Sequence, residues 1–98
     1  MSGADAAGAA AVCHDAAARR FSVEVSGRRA VLDYEADGGV LAFTHTFVPP
    51  ELRGRGLAEQ LVRAGLAHAR ETRQLVRPDC SYVAAFLAKH AEFRDLLG

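Results

Sequence analysis

The 98-residue sequence predicts an α+β domain in which a mixed, mostly antiparallel sheet contains one βαβ crossover and is followed by C-terminal helices. Three observations carry this expectation. The first half of the chain holds extended runs rich in β-branched and aromatic residues, separated by short turn signals. A long amphipathic stretch with helical spacing follows, and a short apolar run stands directly behind it. With half of its residues apolar, a chain of this length suits one domain with a modest core.

Taken in order, residues 1–18 are alanine-rich, carry Asp5 and two early glycines, and lack a basic n-region. They read as a disordered tail and not as a secretory leader, which leaves residues 19–98 as the single domain. Phe21-Ser-Val-Glu-Val25 alternates apolar and polar residues, Ser26-Gly27 supplies a turn, and Ala30–Glu35 continues in extended style, so this segment is expected to form a hairpin. Asp37-Gly38-Gly39 marks a second turn before the longer strand Val40–Val48. The helix over about Leu57–Thr72 places Leu57, Ala58, Leu61, Val62, Gly65, Leu66 and Ala69 on one stripe. Gly65 would cost about 1 kcal/mol against alanine in an isolated helix, so close helix-to-sheet packing is its expected justification. The strand near Gln74–Arg77 should pair parallel to the third strand. Pro78 ends it, Asp79 is the expected N-cap of a helix over Cys80–Lys89, and a last turn covers about Ala91–Leu97.

Composition excludes several functions. Twelve basic and twelve acidic residues cancel, so the chain has no electrostatic footprint for nucleic acid or an anionic membrane. No apolar run approaches the roughly 18 residues that span a bilayer. Two cysteines, Cys13 and Cys80, are poor material for a disulfide framework and fit a reducing cytoplasm. His14, His45, His68 and His90 show no paired ligand spacing, and Cys13-His14 alone reads as part of the mobile tail, so no metal is expected.

The richest segment is Thr44–Ala58, where a strand meets a helix through Arg53-Gly54-Arg55-Gly56. Glycines let a ligand approach the backbone, a helix start leaves amides unpaired with partial positive charge, and two arginines add charge-assisted contacts. A diphosphate is the natural guest. The alternative is a surface loop whose glycines only turn the chain and whose arginines are solvated. The segment lacks the Gly-Lys-Ser/Thr ending of a Walker loop, and no third glycine stands at Glu59, so neither ATP hydrolysis nor a Rossmann dinucleotide site fits.

This loop resembles that of the GNAT superfamily of N-acetyltransferases, whose acyl-CoA motif runs Gln/Arg-x-x-Gly-x-Gly/Ala; Arg53, Gly56 and Ala58 match it. The succession His45-Thr46-x-Val48-Pro49, Arg53-Gly-Arg-Gly-Leu-Ala58 and Cys80-Ser-Tyr-Val83 is similar to the minimal single-domain branch, over roughly Phe21–Leu97. The resemblance implies a GNAT-like acyl-CoA N-acyltransferase fold with acetyl-CoA as co-substrate. It implies that Thr46, Phe47 and Val48 line the pantetheine arm through backbone groups, and that Arg53, Gly54, Arg55, Gly56, Leu57 and Ala58 hold the pyrophosphate. The chain has no room for the N-terminal helices that shape the amine site in full-length members, so the acceptor side is expected to be open. That favours a primary amine of a protein or peptide. A monomer or weak dimer is expected.

Amide formation needs a neutral amine, a polarised thioester carbonyl and a proton for the departing thiolate. On the family reading, a strand amide near Phe47 or Val48 meets the second need. Cys80, expected in the first turn of a helix where the dipole favours thiolate and Asp79 opposes it, is the first candidate as general acid or as nucleophile in an acetyl-cysteine route. Histidine titrates near neutrality, so His45 is a second candidate; the alternation Leu41-x-Phe43-x-His45-x-Phe47 places it on the apolar face. Tyr82 and His68 read as solvated helix residues. A non-catalytic acyl-CoA-binding module, or an interaction protein on the same scaffold, would need no reactive thiol.

Overall fold

The computed structural model describes residues 11–97. Its one sheet has five strands in the order β1 (Cys13–Asp15), β2 (Arg20–Val25), β3 (Arg28–Asp37), β4 (Val40–Phe47) and β5 (Leu75–Pro78), antiparallel throughout except for the parallel β4–β5 pair. A 3₁₀ turn at Pro50–Leu52 and the helix α1 (Leu57–Glu71) connect β4 to β5; α2 (Ser81–Lys89) and a 3₁₀ segment at Ala91–Leu97 complete the chain. The α+β architecture and the parallel closing strand agree with the sequence expectation.

Both central hairpins close with two-residue turns whose central residues have positive φ, 53° and 78° at Ser26 and Gly27, 57° and 84° at Gly38 and Gly39. That backbone twist matches the twist of antiparallel strands and sets their register. In consequence Phe21, Val23, Ala30, Leu32, Tyr34, Leu41 and Phe43 share one face, onto which α1 lays Leu57, Leu61, Val62, Leu66 and Ala69. Val83, Phe86, Leu87 and Leu96 extend the same core. Among the described residues the opposite face carries cross-strand ion pairs, Arg20 with Asp33 at 2.6 Å and Arg29 with Glu24 at 3.9 Å, where the first face has α1.

Gly65 has the role its position predicted. A methyl group there would stand 2.8 Å from Cε1 and 2.9 Å from Cζ of Phe43, a ring only 1% exposed, and 3.2 Å from Leu32. The helix lies on the sheet at the distance that a hydrogen side chain allows.

β4 contains a bulge. Leu32 faces Thr46 and Asp33 faces His45, but Tyr34 faces Phe43, so Thr44 is the extra residue; its hydroxyl donates to the Asp33 carbonyl at 3.4 Å. An inserted residue exchanges the faces of everything beyond it. His45 therefore does not share the apolar face of Leu41 and Phe43 as alternation indicated: it is exposed beside Asp33 on the open face, and Thr46 takes the inward position.

Three further expectations are corrected. Cys13–Asp15, assigned to the tail, form an edge strand on β2; the tail reading of residues 1–10 lies outside the described residues. His14 is tied to the fold by stacking on Phe21 at 4.2 Å and by a 2.6 Å hydrogen bond to the Tyr34 hydroxyl. His68 is half-buried against His14, with ring centroids 4.5 Å apart, and not solvated. The N-cap of α2 is Cys80, because Asp79 turns its carboxylate to Arg77 at 3.1 Å.

Two measurements check this packing. Gly65→Ala should lower the urea midpoint without changing the slope, since overpacking costs about 1–3 kcal/mol and the helical gain is about 1 kcal/mol; a midpoint at or above wild type would mean that Phe43 yields. Burial first, then the charge of His68, holds the His14 imidazole below its ordinary value, against the pull of Asp15. The neutral ring is thus the one the fold favours. Its contribution is full above the unfolded value near 6.5 and is lost as pH falls through the lowered one. The ring is largely solvated, so the effect is local: the protection factors of the β1 amides, with the intrinsic pH dependence of exchange divided out, should fall below about pH 6.5 and stay constant in His14→Gln.

Candidate functional site

Pairing between β4 and β5 stops at Phe43 and Pro78, whereas β4 runs on to Phe47. Beyond the last pair the chain of β5 turns away into α2, held by one more bond, Cys80 N–H to the Phe43 carbonyl at 2.8 Å. A wedge opens between the end of β4 and the start of α2.

At the outer end of the wedge the loop from Pro49 to Gly56 delivers the chain into α1. Arg53 braces it, donating Nε–H to the Val48 carbonyl at 2.9 Å, while Leu52 buries its side chain beneath. Gly54 and Gly56 have φ of 83° and 76°, and a Cβ at either would meet nothing within 4 Å. Glycine is required there by conformation, and the space above it is open. Gly56 caps α1, whose first internal bond runs from Gln60 N–H to the Gly56 carbonyl. The amides of Leu57, Ala58 and Glu59 therefore stay available. Among the described residues no carboxylate pairs with Arg53 or Arg55. Glu59, the one acidic side chain of the first turn, is drawn to Arg63 at 2.9 Å. Free amides, two guanidinium groups and a positive helix end make this terminus an acceptor of anions.

A cavity of about 230 Å³ lies over these residues, lined by Val48, Leu52, Arg53, Gly54, Gly56, Leu57, Ala58, Glu59 and Tyr82. A second, of about 260 Å³, continues along α2 past Tyr82 to Phe86, Lys89 and His90. Tyr82 lines both, a role that its place in an amphipathic helix did not reveal. Burial, and then the Glu59 carboxylate, push its phenol above the ordinary value.

At the inner end of the wedge is Cys80, a half-buried free thiol. The Thr46 hydroxyl lies 3.3 Å from Sγ. Burial pushes the thiol up, but the Thr46 hydroxyl and then the amides of Val83, Tyr82 and Thr46 outweigh it, so the group ends below its ordinary value. None of these amides closes a regular capping bond on sulfur, but together they surround it with donors, which favours thiolate. Asp79, which was expected to oppose this, is occupied by Arg77.

Of the residues singled out in the sequence, Val48, Arg53, Gly54, Gly56, Leu57 and Ala58 share the first cavity, and Thr46 and Cys80 touch each other. Arg55 and Phe47 flank them in the chain without lining the cavity, and His45 lies on the other face of the sheet. Among the described residues no three His, Cys, Asp or Glu side chains converge as metal ligands, and no helix is long and apolar enough to cross a membrane.

Comparison with known proteins bears on this arrangement. A family model described as GCN5-related N-acetyl-transferase matches residues 20–96, which include β2 to β5, the loop and both helices. Protein NATD1 of Bos taurus is 36% identical over 80 residues, covering 79% of this chain and 71% of that protein. Protein NATD1 of Homo sapiens is 35% identical over 80 residues with the same coverage. The NMR solution structure of a GCN5-like protein from Staphylococcus aureus superposes with a TM-score of 0.71 at 25% identity, over 88% of this chain and 85% of that one. A sheet split between β4 and β5, an Arg/Gly loop opening α1 and a family match across nearly all of the described residues lead to one conclusion: the chain belongs to the GCN5-related N-acetyltransferase family.

Proposed function

We propose that the chain is an acetyl-CoA-dependent N-acetyltransferase that transfers acetyl to a primary amine by direct attack on the thioester. The observation that carries the reading is the wedge itself, with an anion-accepting helix start at its outer end and a donor-surrounded thiol at its inner end. Arg53, Arg55 and the amides from Gly54 to Ala58 hold the pyrophosphate, and Thr46, Phe47 and Val48, where β5 has parted from β4, line the pantetheine arm through backbone groups. The residues fit such a guest, because glycine leaves the cradle open where any Cβ would begin to close it.

The amine nitrogen forms the new C–N bond as the C–S bond breaks, one nitrogen proton leaves, and the departing sulfur needs one. A β4 amide at Phe47 or Val48 donates to the oxygen on which charge develops, a contact worth about 3 kcal/mol in comparable sites. Cys80 supplies the proton for the leaving thiolate and is left as a thiolate within its ring of donors. The amine comes from the uncovered face of the sheet, where exposed His45 takes up its proton. An uncovered face suits an amine carried by a protein or peptide better than an enclosed metabolite, and a reducing cytoplasm keeps Cys80 free for its task.

Calorimetric titration with acetyl-CoA, CoA, ATP and NAD tests the loop. Acetyl-CoA and CoA should bind selectively, and changing Arg53 and Arg55 together to alanine should weaken both by about 10²-fold, as expected for lost charge-assisted contacts. No binding at millimolar ligand would sink the proposal. Cys80→Ala should bind acetyl-CoA as wild type does yet lose turnover by a factor on the order of 10². Full turnover in that variant would remove the thiol from the chemistry, and binding without turnover in wild type would leave a non-catalytic acyl-CoA-binding module.

A further inference from the structure

Thr46 owes its place to the β4 bulge. Without the extra residue at Thr44 it would face the open side of the sheet, and His45 would point inward in its stead. With the bulge, Thr46 stands opposite the fully buried Leu32 and brings its hydroxyl within 3.3 Å of Cys80 Sγ. The two residues are 34 positions apart in the chain, and the Cys80 amide is anchored nearby on the Phe43 carbonyl.

We propose that Thr46 is a positioning residue of this site: its hydroxyl holds the Cys80 sulfur at the inner end of the β4–β5 wedge and is the donor that stabilises the charge when the thiol gives up its proton. The inference rests on the reading of Cys80 as the acid. Its chemical basis is the asymmetry of the pair. While sulfur carries its proton, either group can donate to the other. Once the proton has passed to the departing sulfur of the co-substrate, Cys80 is acceptor-only and Thr46 is the side chain left to donate. The hydroxyl reverses its role by rotation alone, without moving a backbone atom. The proton crosses from one thiol sulfur to another, a nearly balanced transfer, so a donor that favours the thiolate of Cys80 tips it toward the leaving group.

The partner amides of Thr46, Val83 and Tyr82 are fixed by β4 and by the first turn of α2 and remain after any side-chain change. The hydroxyl is the removable part of the shell. Thr46→Val keeps the branched shape and the strand preference, and Thr46→Ser keeps the hydroxyl. Other ionisable groups near the sulfur are Tyr82, whose phenol lies along the cavities, and Asp79, which is engaged by Arg77; neither is altered by these substitutions.

The test is the pH dependence of iodoacetamide alkylation of the ligand-free protein, read on the Cys80 peptide by mass so that exposed Cys13 does not contribute. Thr46→Val should move the inflection up by about one to two pH units, as expected for one hydrogen bond to a charged group, and Thr46→Ser should restore it to near wild type. The same displacement should appear in the pH profile of kcat. Far-UV circular dichroism confirms that both variants fold. An unmoved inflection in Thr46→Val overturns the proposal, and so does a moved inflection with an unmoved kcat profile. The alkylation arm uses no acetyl-CoA, so an absence of acyl transfer counts against the enzymatic reading, whereas a flat comparison of the two Thr46 variants counts against this one.

Discussion

One inserted residue organises the site. The bulge at Thr44 turns the last part of β4 over, and three features follow from that rotation. Thr46 comes to the sulfur of Cys80, Val48 joins the packed core beside the loop, and His45 is released to the open face. A straight β4 would keep pairing geometry intact for longer but would present an imidazole to the core and a hydroxyl to solvent. The bulge lies next to the point at which β4 and β5 part, so twist and separation begin together.

The two ends of the wedge use different physics. At the loop, the proposed recognition of the pyrophosphate is electrostatic and would come from backbone groups that the helix cannot use itself, strengthened by Arg53 and Arg55. α1 thus has two duties: its N-terminus faces the cavity, and its stripe around Gly65 seats on Phe43 and Leu32. Because the glycine allows backbone and ring to touch, the helix axis is set by the sheet, and with it the direction in which the free amides point. At the thiol, the surroundings are half-buried and the balance is between desolvation and a few short-range donors.

Much of this was legible in the sequence. The turns at Ser26-Gly27 and Gly38-Gly39, the α1 stripe, the parallel return strand and the glycine loop that opens α1 each have local signatures that survive folding unchanged. Gly65 was readable because a glycine in an apolar stripe asks for a near neighbour. The parts that escaped depend on contacts distant in the chain. A bulge leaves no mark in an alternating run such as Leu41–Phe47; it becomes visible only against the register of β3. β1 is three residues long, set in an alanine-rich segment, and is held by rings from Phe21, Tyr34 and His68. The N-cap of α2 fell to Cys80 because Arg77, two residues from Asp79, claims the carboxylate first.

The order of strands in the sheet is also their order along the chain, and only the last seam, β4 with β5, spans an intervening helix. Seams joined by two-residue turns close over short loops, and the parallel seam must wait for a long one. The cleft is bounded by that long-range seam. A nascent chain can therefore complete its meander, hydrophobic face and all, before it owns a cleft, and the wedge comes into being with the closing contact of the fold, as the timing of amide protection in β5 relative to β3 would record.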